Sequence, residues 1–509
     1  MLKKIAGGLL ILIAILIATA LCSYRPLPPR NNIGTTHRLP AVTATPLAQR
    51  ITALQAGHPD ASGHYPLADG RAAFAARLAL INSAQRSLDL QYYLWHDDNA
   101  GRLLAAALYR AAARGVRVRL LLDDNNTRSL DPLLLTLDAH PNISVRLVNP
   151  FMQRRWRILG YLGDFPRLNR RMHNKTFTAD GHIAIIGGRN IGDEYFGSGD
   201  GVLFADLDTL SIGPVTTAIA DDFDRYWNGA AAYPVALIIP GSGSRTAPAL
   251  PDSATARAYL RALDRDDPVA RLRDGSLPLY WGPTTLHSDP PDKLLGKTAL
   301  SATLLADIGP VLSKTTRELI IVSPYFVPTA EGAAGLIAIA GRGVRITILT
   351  NSLAASDVAA VHSGYAKYRR RLLAAGIRLY ELKPGATISA SGHGGITGHS
   401  GASLHAKSFA ADGRYVFVGS FNMDPRSAAL NSEDGILIDS PALAGDFARH
   451  LAANLPTHAY AVSLDDNGRL QWQSLENGRT VTYTREPASS WLRRSSTIIL
   501  SWLPVEWLL

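Results

Sequence analysis

The chain has 509 residues, of which 47% are hydrophobic and 18% are charged, and its formal net charge is +10. This length exceeds one ordinary core and suits two domains of about 200 residues each, and the composition excludes a disordered chain. The single cysteine, Cys22, excludes an intramolecular disulfide framework and a cysteine-rich metal site. The positive charge suits an anionic partner, either nucleic acid or an acidic membrane surface.

The N-terminus carries Lys3 and Lys4, followed by an apolar run over residues 5–22. A run of this length is just sufficient to span a bilayer as a helix. We therefore predict an uncleaved membrane anchor over residues 1–22, with the rest of the chain outside the cytoplasm because the two lysines stay inside. A cleaved signal peptide is the alternative, since Ala18-Thr19-Ala20 resembles a cleavage site.

After a linker predicted for residues 23–65, which are rich in Pro, Thr, Arg and Gly, the chain follows an α/β pattern twice. Each copy reads as strand, helix and strand, at 87–95, 100–114 and 116–122, and again at 319–322, 330–340 and 344–349. The copies share the phrase R-G-V-R and repeat with a period of about 230 residues, which is a duplication and not a solenoid. This order implies parallel strands with helices on the sheet faces. The predicted domains are 66–290 and 291–460.

Two segments outside the repeat have compositions that suit a membrane surface. Residues 154–171 interleave arginine with Trp156, Tyr161 and other large apolar residues, and we interpret them as a membrane contact. An ordinary solvated helix is the alternative. The C-terminal segment, residues 461–509, is predicted to be interfacial because its end carries three tryptophans beside Arg493 and Arg494.

Two further features have plain structural readings. The Gly/Ser-rich residues 386–402 are predicted to form a mobile loop, in which His393 and His399 are solvated and do not bind metal. Asp123 and Asp124 end a predicted strand, where either a functional loop or a helix N-cap is expected.

The strongest signal is a pattern, H-x-K-x4-D, that occurs twice. The copies are His173, Lys175 and Asp180, and His405, Lys407 and Asp412, each followed at the same spacing by G-[GS]-x-N, which ends at Asn190 and Asn422. Two matched copies with a shared tail are not plausibly chance. Lysine supplies only nine of the 52 Lys+Arg residues, yet it occupies both H-x-K positions, which indicates that a compact ammonium group is required there.

The local pattern predicts how each copy presents its side chains. Alternation along a strand places the His and the Lys on one face. The Asp-Gly pair that follows predicts a hairpin turn, and the small residues of the tail let the Asn approach a ligand closely. Two halves related by a pseudo-twofold axis would surround one phosphate with two His, two Lys and two Asn.

This set suits displacement at a phosphodiester. One imidazole attacks phosphorus to form a phosphohistidine, and the other protonates the leaving alkoxide and then deprotonates the acceptor. The Lys and Asn side chains stabilise the phosphoryl oxygens. Because the protein supplies the positive charge, we expect no metal and no other cofactor.

These residues resemble the phospholipase D superfamily, whose signature is this duplicated motif. The extensions GGRNIGDEYFG (187–197), FADLD (204–208) and GSFNMDPRSAALNSEDG (419–435) look like those of bacterial cardiolipin synthases, most closely the type called C. The resemblance implies an α/β chain with two α/β/α sandwich domains packed around one pseudo-twofold active site. It also implies that His173 is the nucleophile, that His405 is the acid/base, and that Asp206 and Glu433 orient them.

The resulting prediction has two overlapping sets of site residues. The catalytic set is His173, Lys175, Asp180, His405, Lys407, Asp412, Asp206 and Glu433, and the phosphate-binding set is Lys175, Lys407, Asn190 and Asn422. Within the first set we regard Asp180 and Asp412 as turn formers that support the motif, since each precedes a glycine.

The resemblance further implies transfer of a phosphatidyl group between phospholipids to give cardiolipin, at the inner membrane of a bacterium and with the catalytic domains on the periplasmic side. The expected partners are the membrane surface and the lipids phosphatidylglycerol and phosphatidylethanolamine, with no nucleic acid. A phospholipase D-type hydrolase is the alternative. A nuclease is disfavoured by the apolar N-terminus and the Trp-rich C-terminus, and a silent scaffold by the completeness of both His/Lys/Asn sets.

Overall fold

The computed structural model describes residues 18–19, 24–197, 203–356, 358–385, 402–502 and 506–508. Apart from Ala18 and Thr19, the predicted anchor lies outside these residues, as does the Gly/Ser-rich loop up to residue 401 with His393 and His399. Within the described ranges, no helix combines the length and the apolar character that crossing a membrane requires. The anchor therefore stays a prediction.

The first half of the molecule, up to Gly282, contains ten strands and nine helices among its described residues. In chain order they are α1 (Pro46–Ala56), β1 (Ser62–Leu67), α2 (Gly70–Ser83), β2 (Ser87–Tyr92), α3 (Asn99–Ala113), β3 (Arg117–Asp123), α4 (Asp131–Asp138), β4 (Ile143–Val148), α5 (Arg157–Leu168), β5 (Thr176–Ala179), β6 (Ile183–Gly187), β7 (Leu203–Ala205), β8 (Asp208–Ile212), α6 (Pro214–Trp227), β9 (Ala232–Pro234), α7 (Val235–Ile238), α8 (Ala254–Arg265), α9 (Pro268–Asp274) and β10 (Tyr280–Gly282).

Nine of these strands form one mixed sheet in the order β10-β1-β8-β6-β5-β2-β3-β4-β9. Its centre, β2-β3-β4, is parallel, as the strand–helix–strand pattern predicted. The helix α3 begins at Asp98, whose side chain accepts a hydrogen bond from Gly101 N at 3.0 Å. The strand predicted over 87–95 ends earlier, at Tyr92, because the next residues turn away and Leu94 N donates to the Asn190 side chain at 3.2 Å.

The second half, from Thr284 onwards, repeats this arrangement. Its elements in chain order are β11 (Thr284–Ser288), α10 (Leu304–Ser313), β12 (Glu318–Val322), α11 (Thr329–Gly341), β13 (Arg345–Asn351), α12 (Ala359–Ala366), α13 (Arg369–Ala374), β14 (Arg378–Leu382), β15 (Ala402–Leu404), β16 (Lys407–Ala411), β17 (Tyr415–Gly419), α14 (Pro425–Ala429), β18 (Asp434–Asp439), α15 (Pro441–His458), β19 (Ala459–Leu464), β20 (Leu470–Glu476), β21 (Arg479–Tyr483) and α16 (Trp491–Ser501).

The second sheet has ten strands in the order β11-β18-β17-β16-β12-β13-β14-β19-β20-β21. Its series β18-β17-β16-β12-β13-β14 has the same topology as β8-β6-β5-β2-β3-β4 in the first sheet, with parallel strands again at β12-β13-β14. The mixed α/β fold and its duplication are thus confirmed. Each motif enters the equivalent strand, β5 or β16.

The two sheets bury a common apolar core. It combines residues of the first half with residues of the second half, among them Ala184, Ile186, Ile219, Ile320, Val418 and Ile436. A short parallel ladder, β7 with β15, also joins the halves. Because apolar burial and backbone pairing both cross between the halves, the strands that carry the two motifs lie in one packed body.

The C-terminal region differs from the expected interfacial segment over 461–509. Residues 459–483 form β19, β20 and β21 at the edge of the second sheet. The β20–β21 hairpin turns at Asn477 and Gly478, which have φ of 49° and 77°, so an Asn-Gly turn signal was present in the sequence. One sheet gives way to the other at Pro283, inside the predicted first domain, and the domain ranges themselves stay a prediction.

Candidate active site

The segment that carries the first motif is held by the second half. His173 N donates to Ser432 O at 2.8 Å, and Ser432 N donates to Arg171 O at 3.0 Å. The Asp123 carboxylate accepts from the Arg171 guanidinium at 2.7 and 2.9 Å, and both side chains are buried. Asp123 also accepts from Asn125 N at 2.8 Å, so the predicted N-cap role is confirmed. The same carboxylate therefore ends β3 and holds Arg171, two residues before His173, in place.

The second motif is held by the first half in the equivalent way. His405 N donates to Ala205 O at 2.7 Å, at the end of the β7–β15 ladder. Asn351, the last residue of β13, accepts from Leu404 N at 2.9 Å and donates to Leu404 O at 3.0 Å. Each histidine thus lies just before its strand and is held by a backbone hydrogen bond to the other half.

The histidine–carboxylate pairs are exchanged between the halves. His173 Nδ1 lies 2.7 Å from Glu433 Oε2, and His405 Nδ1 lies 2.5 Å from Asp206 Oδ2. The structure brings both histidines together with the two carboxylates that the family resemblance implied, and each carboxylate comes from the half opposite its histidine. A carboxylate at Nδ1 selects the tautomer with the proton on Nδ1, which leaves the Nε2 lone pair available. Neither half by itself supplies both members of either of these two pairs.

The two lysines stand beside the two histidines. Lys175 Nζ donates to His173 O, and Lys407 Nζ donates to His405 O and lies 2.9 Å from His405 Nδ1. Because Asp206 is negative and Lys407 is positive, we assign the Nδ1 proton of His405 to the bond with Asp206. Both lysines and both histidines are largely buried.

Electrostatics couple the two motifs into one site. Burial lowers the pKa of His173 to about 4, opposed by Glu433, and both Lys175 and Lys407 lower it further. Burial likewise lowers the pKa of His405 to about 3, and both lysines again lower it. Burial lowers the pKa of Lys175 to about 7, with the charge of Lys407 acting in the same direction. Each lysine is thus close enough to act on both histidines, and an anion would relieve this concentration of buried positive charge.

The two carboxylates are supported differently. Glu433 accepts from the hydroxyls of Ser420 at 2.6 Å and Ser427 at 2.7 Å. Asp206 accepts from Leu207 N at 2.8 Å. The position that corresponds to Ser420 in the first motif is Gly188, where a Cβ would lie 2.1 Å from Asp206 Oδ1. Asp206 therefore leaves no room for a side chain at Gly188, whereas the Ser420 side chain donates a hydrogen bond to Glu433.

The two asparagines of the shared tail are buried, with 1% exposure at Asn190 and 4% at Asn422. Asn190 Oδ1 accepts from Leu94 N at 3.2 Å, whereas Asn422 Oδ1 is without a hydrogen-bond partner among the described residues. A buried amide oxygen without a partner is costly. Asn190 is thus held by a backbone N–H group, whereas the amide oxygen of Asn422 remains able to accept a hydrogen bond.

Sequence reasoning missed three side chains beside the motifs. Tyr93 lies edge-on to the ring of His173 at 5.0 Å, and Tyr195 lies edge-on to His405 at 5.1 Å. Tyr93 directly follows β2, a position where functional residues are common, so this signal was available. Asp434 accepts from Lys175 N at 3.3 Å, whereas the residue that follows Asp206 is Leu207. The departure from twofold symmetry at Asp434 was not readable from the motif.

Asp180 and Asp412, which were included in the predicted catalytic set, do not lie with the histidines. Each follows the strand that its motif begins, β5 or β16, about 16 Å along the chain from the lysine at 3.3 Å per residue. The Asp180 carboxylate accepts from the backbone N–H groups of residues 85, 86 and 87 at 2.8–3.0 Å. Asp412 accepts from those of residues 316, 317 and 318 at 2.7–3.2 Å. Asp180 and Asp412 are therefore turn residues, with φ of 51° and 55°, and the prediction that they belong to the catalytic set is corrected.

One group of side chains in the described part of the chain has the spacing of a cation site. His96, Asp98 and Glu194 have ligand atoms within 4.8 Å of one another. The Asp98 oxygens are already engaged, since they accept from Gly101 N at 3.0 Å and from Asp193 N at 2.6 Å. The group includes neither motif histidine.

A family model described as "Cardiolipin synthase, PLD-like domain" matches residues 78–227 and 309–455. These two stretches contain both motifs and cover more than half of the chain.

Individual relatives give the same result. Cardiolipin synthase C of Escherichia coli (strain K12) is 48% identical over 470 residues, which cover 91% of this chain and 99% of the relative. Cardiolipin synthase A of Pseudomonas entomophila (strain L48) is 25% identical over 428 residues, 82% of this chain and 74% of the relative. Among solved structures, phosphatidylserine synthase of Haemophilus influenzae Rd KW20 has a TM-score of 0.57 at 15% identity, covering 90% of this chain and 100% of that one. At that identity the last likeness supports the fold alone.

Proposed function

The chain belongs to the cardiolipin synthase family of phospholipase D-like enzymes, and from this premise we propose that it transfers a phosphatidyl group from one phospholipid to a hydroxyl of another. The observation that carries the proposal is the exchanged pair of buried His–carboxylate contacts, 2.7 and 2.5 Å, beside two lysines. One site with two differently placed imidazoles can perform two successive displacements at one phosphorus.

In the first step, Nε2 of His173 attacks the phosphorus of the donor lipid. The P–N bond forms as the P–O bond to the head group breaks, and the leaving alkoxide takes a proton from Nε2 of His405. Glu433 and Asp206 stabilise the positive charge that each ring carries in turn. Lys175 and Lys407 face the phosphoryl oxygens, where negative charge grows.

In the second step, His405 removes the proton from a glycerol hydroxyl of the acceptor lipid. That oxygen attacks phosphorus, the P–N bond breaks, and His173 returns to its neutral form. With phosphatidylglycerol as acceptor the product is cardiolipin. Phosphatidylglycerol or phosphatidylethanolamine serves as donor, and the released head group is glycerol or ethanolamine.

Binding of the substrate prepares the proton that the first step needs. Burial and the two lysines lower the pKa of both histidines. A bound phosphodiester carries a negative charge, which offsets the lysines and raises the pKa of both rings. The lipid itself thereby favours protonation of His405 and so the acid form that leaving-group departure requires.

The wider setting belongs to the same proposal. The segment 1–22, which contains the apolar run, anchors the chain in the inner membrane of a bacterium. Residues 23–65 link it to two phospholipase D-type α/β/α sandwich domains, 66–290 and 291–460, on the periplasmic side. The Asn190 and Asn422 amides bind phosphate together with the lysines. No metal takes part in either displacement.

The test is product analysis with the full-length protein in vesicles of phosphatidylglycerol, alone and mixed with phosphatidylethanolamine. We expect cardiolipin and a released head group, with the same yield when a chelator is present. Phosphatidic acid in place of cardiolipin would instead identify a hydrolase that uses water as acceptor.

A pair of matched variants separates chemistry from folding. His173→Ala is expected to abolish the product. His64→Gln removes another buried histidine, which is bonded to Ser211 at 3.0 Å and Thr284 at 2.7 Å and belongs to neither motif, and it is expected to retain activity. Wild-type turnover by the His173 variant would refute the site assignment.

A further inference from the structure

Outside the active site, the large exposed apolar side chains are concentrated on two helices. On α5 and just before it they are Trp156, Ile158, Leu162 and Phe165; on α16 and just after it they are Trp491, Leu492, Ile498, Ile499 and Trp502. Ile158 is 73% exposed and Trp502 is 78% exposed. Clustered exposure of this size marks an interaction surface.

The spacing on each helix makes the exposed residues a stripe. On α5, Ile158 and Leu162 are four residues apart and share one face, and Phe165 is exposed directly after a kink at Asp164, where the backbone leaves the helical conformation. The opposite face packs inward: Leu168 is buried, and a Cβ at Gly160 would lie 3.2 Å from Phe151. The helix is therefore held by one face against the protein and presents the other to its surroundings.

A chain of contacts joins α5 to the first histidine. Tyr161 OH donates to Asn125 Oδ1 at 2.9 Å, and the Asn125 amide donates to Tyr93 OH at 3.2 Å. Tyr93 in turn lies edge-on to His173 at 5.0 Å. The outward stripe is thus separated from His173 by three side chains.

The helix α16 occupies a comparable place in the second half. Its Arg493 donates to Ser356 O, just beyond the end of β13, and Asn351 at that end holds Leu404 ahead of His405. Glu486, before the helix, pairs with the buried Arg369, which fixes the C-terminal segment to the second half. The apolar stripe of α16 therefore lies at the end of the sheet where the second motif begins.

The short helix α14 connects these two regions. Its Arg426 donates to the side chain and the carbonyl of Asn169, the C-cap of α5, at 2.9 and 2.7 Å. The C-terminal turn Glu506–Leu508, which follows α16, packs against α14. Ser427 of α14 also bonds Glu433 at 2.7 Å. The two apolar helices are thus linked through an element that touches the active site.

We propose that α5 and α16 form a docking rim that seats the active site on an anionic lipid surface. Arginines accompany both stripes: the exposed Arg155 lies 5.8 Å from the Trp156 ring, and Arg493 and Arg494 lie within α16. Apolar side chains inserted at head-group depth with arginines at the phosphates suit an acidic leaflet. A second copy of a chain with net charge +10 would meet like charge. The rim deepens the proposed function, on which it rests, because it brings lipid phosphates to the histidines.

A depth probe tests the rim in the full-length protein. This measurement is preferred to vesicle binding, since an N-terminal anchor alone would hold the chain on vesicles. In a Cys22→Ser background, one environment-sensitive fluorophore is attached through Leu162→Cys or Ile499→Cys. The protein is reconstituted in phosphatidylglycerol/phosphatidylcholine vesicles with and without a nitroxide on the acyl chains.

The control is Leu237→Cys. Leu237 and Leu162 are each 45% exposed. Leu237 lies on α7 beyond β9, which runs antiparallel to β4, so it stands at the amino end of β4. Arg171 donates to Asn149 O at 3.2 Å, which puts the motif at the carboxyl end. The two leucines thus differ in their position and match in type and exposure.

We expect emission at 162 and 499 to rise by roughly twofold or more on vesicles and to be quenched by the nitroxide, with no change at 237. The same signals are expected with His173→Ala added, so loss of catalysis and loss of docking are distinguishable. The proposal is overturned if 162 and 499 behave like 237. It is also overturned if their emission rises with protein concentration in the absence of lipid, which would identify a second copy as the occupant.

A kinetic arm asks whether docking serves turnover. The double variant Ile158→Ser/Leu162→Ser is expected to show about tenfold lower turnover on vesicles, because two apolar contacts with the lipid are lost. Its turnover of a short-chain phosphatidylglycerol below the critical micelle concentration should stay within about twofold of wild type. Leu237→Ser should match wild type in both assays. Equal losses on both substrates, or no loss on vesicles, would contradict the proposal.

Discussion

The carboxylate that the second half supplies to the first motif is the most informative position for mutation. Glu433 contacts His173 Nδ1 at 2.7 Å and is completely buried, with hydroxyl donors from Ser420 and Ser427 on its two oxygens. The Glu433→Gln variant keeps the volume and removes the charge. An amide that turns its oxygen to His173 preserves the tautomer, whereas one that turns its NH2 inward reverses it.

These two orientations bound the expected effect. Loss of the charge from a buried charge-assisted hydrogen bond is worth about 1.5–3 kcal/mol, or about 10–100-fold in rate. Reversal of the tautomer would place the proton on Nε2, and an equivalent amide change in a serine protease triad lowers turnover about 10⁴-fold. We therefore expect turnover to fall by about 10–10⁴-fold, with folding retained because both hydroxyls still find a partner.

The assay is release of p-nitrophenol from a phosphodiester, read as a pre-steady-state burst. This leaving group needs no acid, so Asp206→Asn should keep a burst and slow the second step, whereas Glu433→Gln should lose the burst itself. Ser420→Ala, which removes one donor to Glu433 and leaves the tautomer intact, is the matched control and should lose less than about tenfold. A Glu433→Gln enzyme within threefold of wild type would refute the exchanged pairing as the basis of the chemistry.

Three further predictions concern residues around the site. Gly188→Ser should unfold at a lower urea concentration and lose activity, because its Cβ would lie 2.1 Å from Asp206 Oδ1. Ser420→Gly should keep most of its stability, and equal urea midpoints of unfolding for the two variants would contradict this. Asp412→Ala should lower the free energy of unfolding by about 1–3 kcal/mol, because three backbone N–H groups lose their acceptor, and the folded enzyme should keep its kcat. Loss of kcat would instead assign Asp412 a catalytic role. Burial lowers the pKa of His64 to about 3. Below pH 6.5 the unfolded chain therefore binds a proton at His64 that the folded chain does not bind, and the free energy of unfolding should decrease as the pH falls below 6.5. His64→Gln should reduce the difference in unfolding free energy between pH 7 and pH 4.5 by about 2–3 kcal/mol in urea titrations, and an unchanged difference would contradict the assignment.

The sequence contained most of the site because the site is built from a repeat. His173, Lys175, His405 and Lys407 could be singled out by their spacing. The strand predicted for each His/Lys pair begins later, at Thr176 in β5 and at Lys407 in β16. Their carboxylate partners came from family resemblance alone, since nothing local to His173 points to Glu433. The ladder and the carbonyl contacts that exchange the partners link residues roughly 200 or more apart, and no short-range pattern encodes such pairing.

Other features were missed for different physical reasons. Asp434 breaks the twofold symmetry at a position where the motif imposes no residue type, so its contact with Lys175 needed the fold. The strands β19–β21 were hidden by the polar, Trp-rich composition of the C-terminus, although Asn477-Gly478 signalled their hairpin. Ile158 and Ile499 are exposed in the two segments that the sequence predicted to contact a membrane, and that contact stays a prediction. The connection of the two helices through Arg426 depends on tertiary packing.

The central claim is that one composite site transfers the phosphatidyl group through His173. The most direct measurement is to mix full-length His405→Ala protein with phosphatidyl-p-nitrophenol, whose leaving group needs no acid, quench it in alkali and map the covalent adduct by mass spectrometry. The account predicts a phosphoryl-linked adduct on the peptide that contains His173 and none in a His173→Ala control. An adduct on His405 of the His173→Ala protein, or cardiolipin formed at wild-type rate with no adduct on His173, would contradict it.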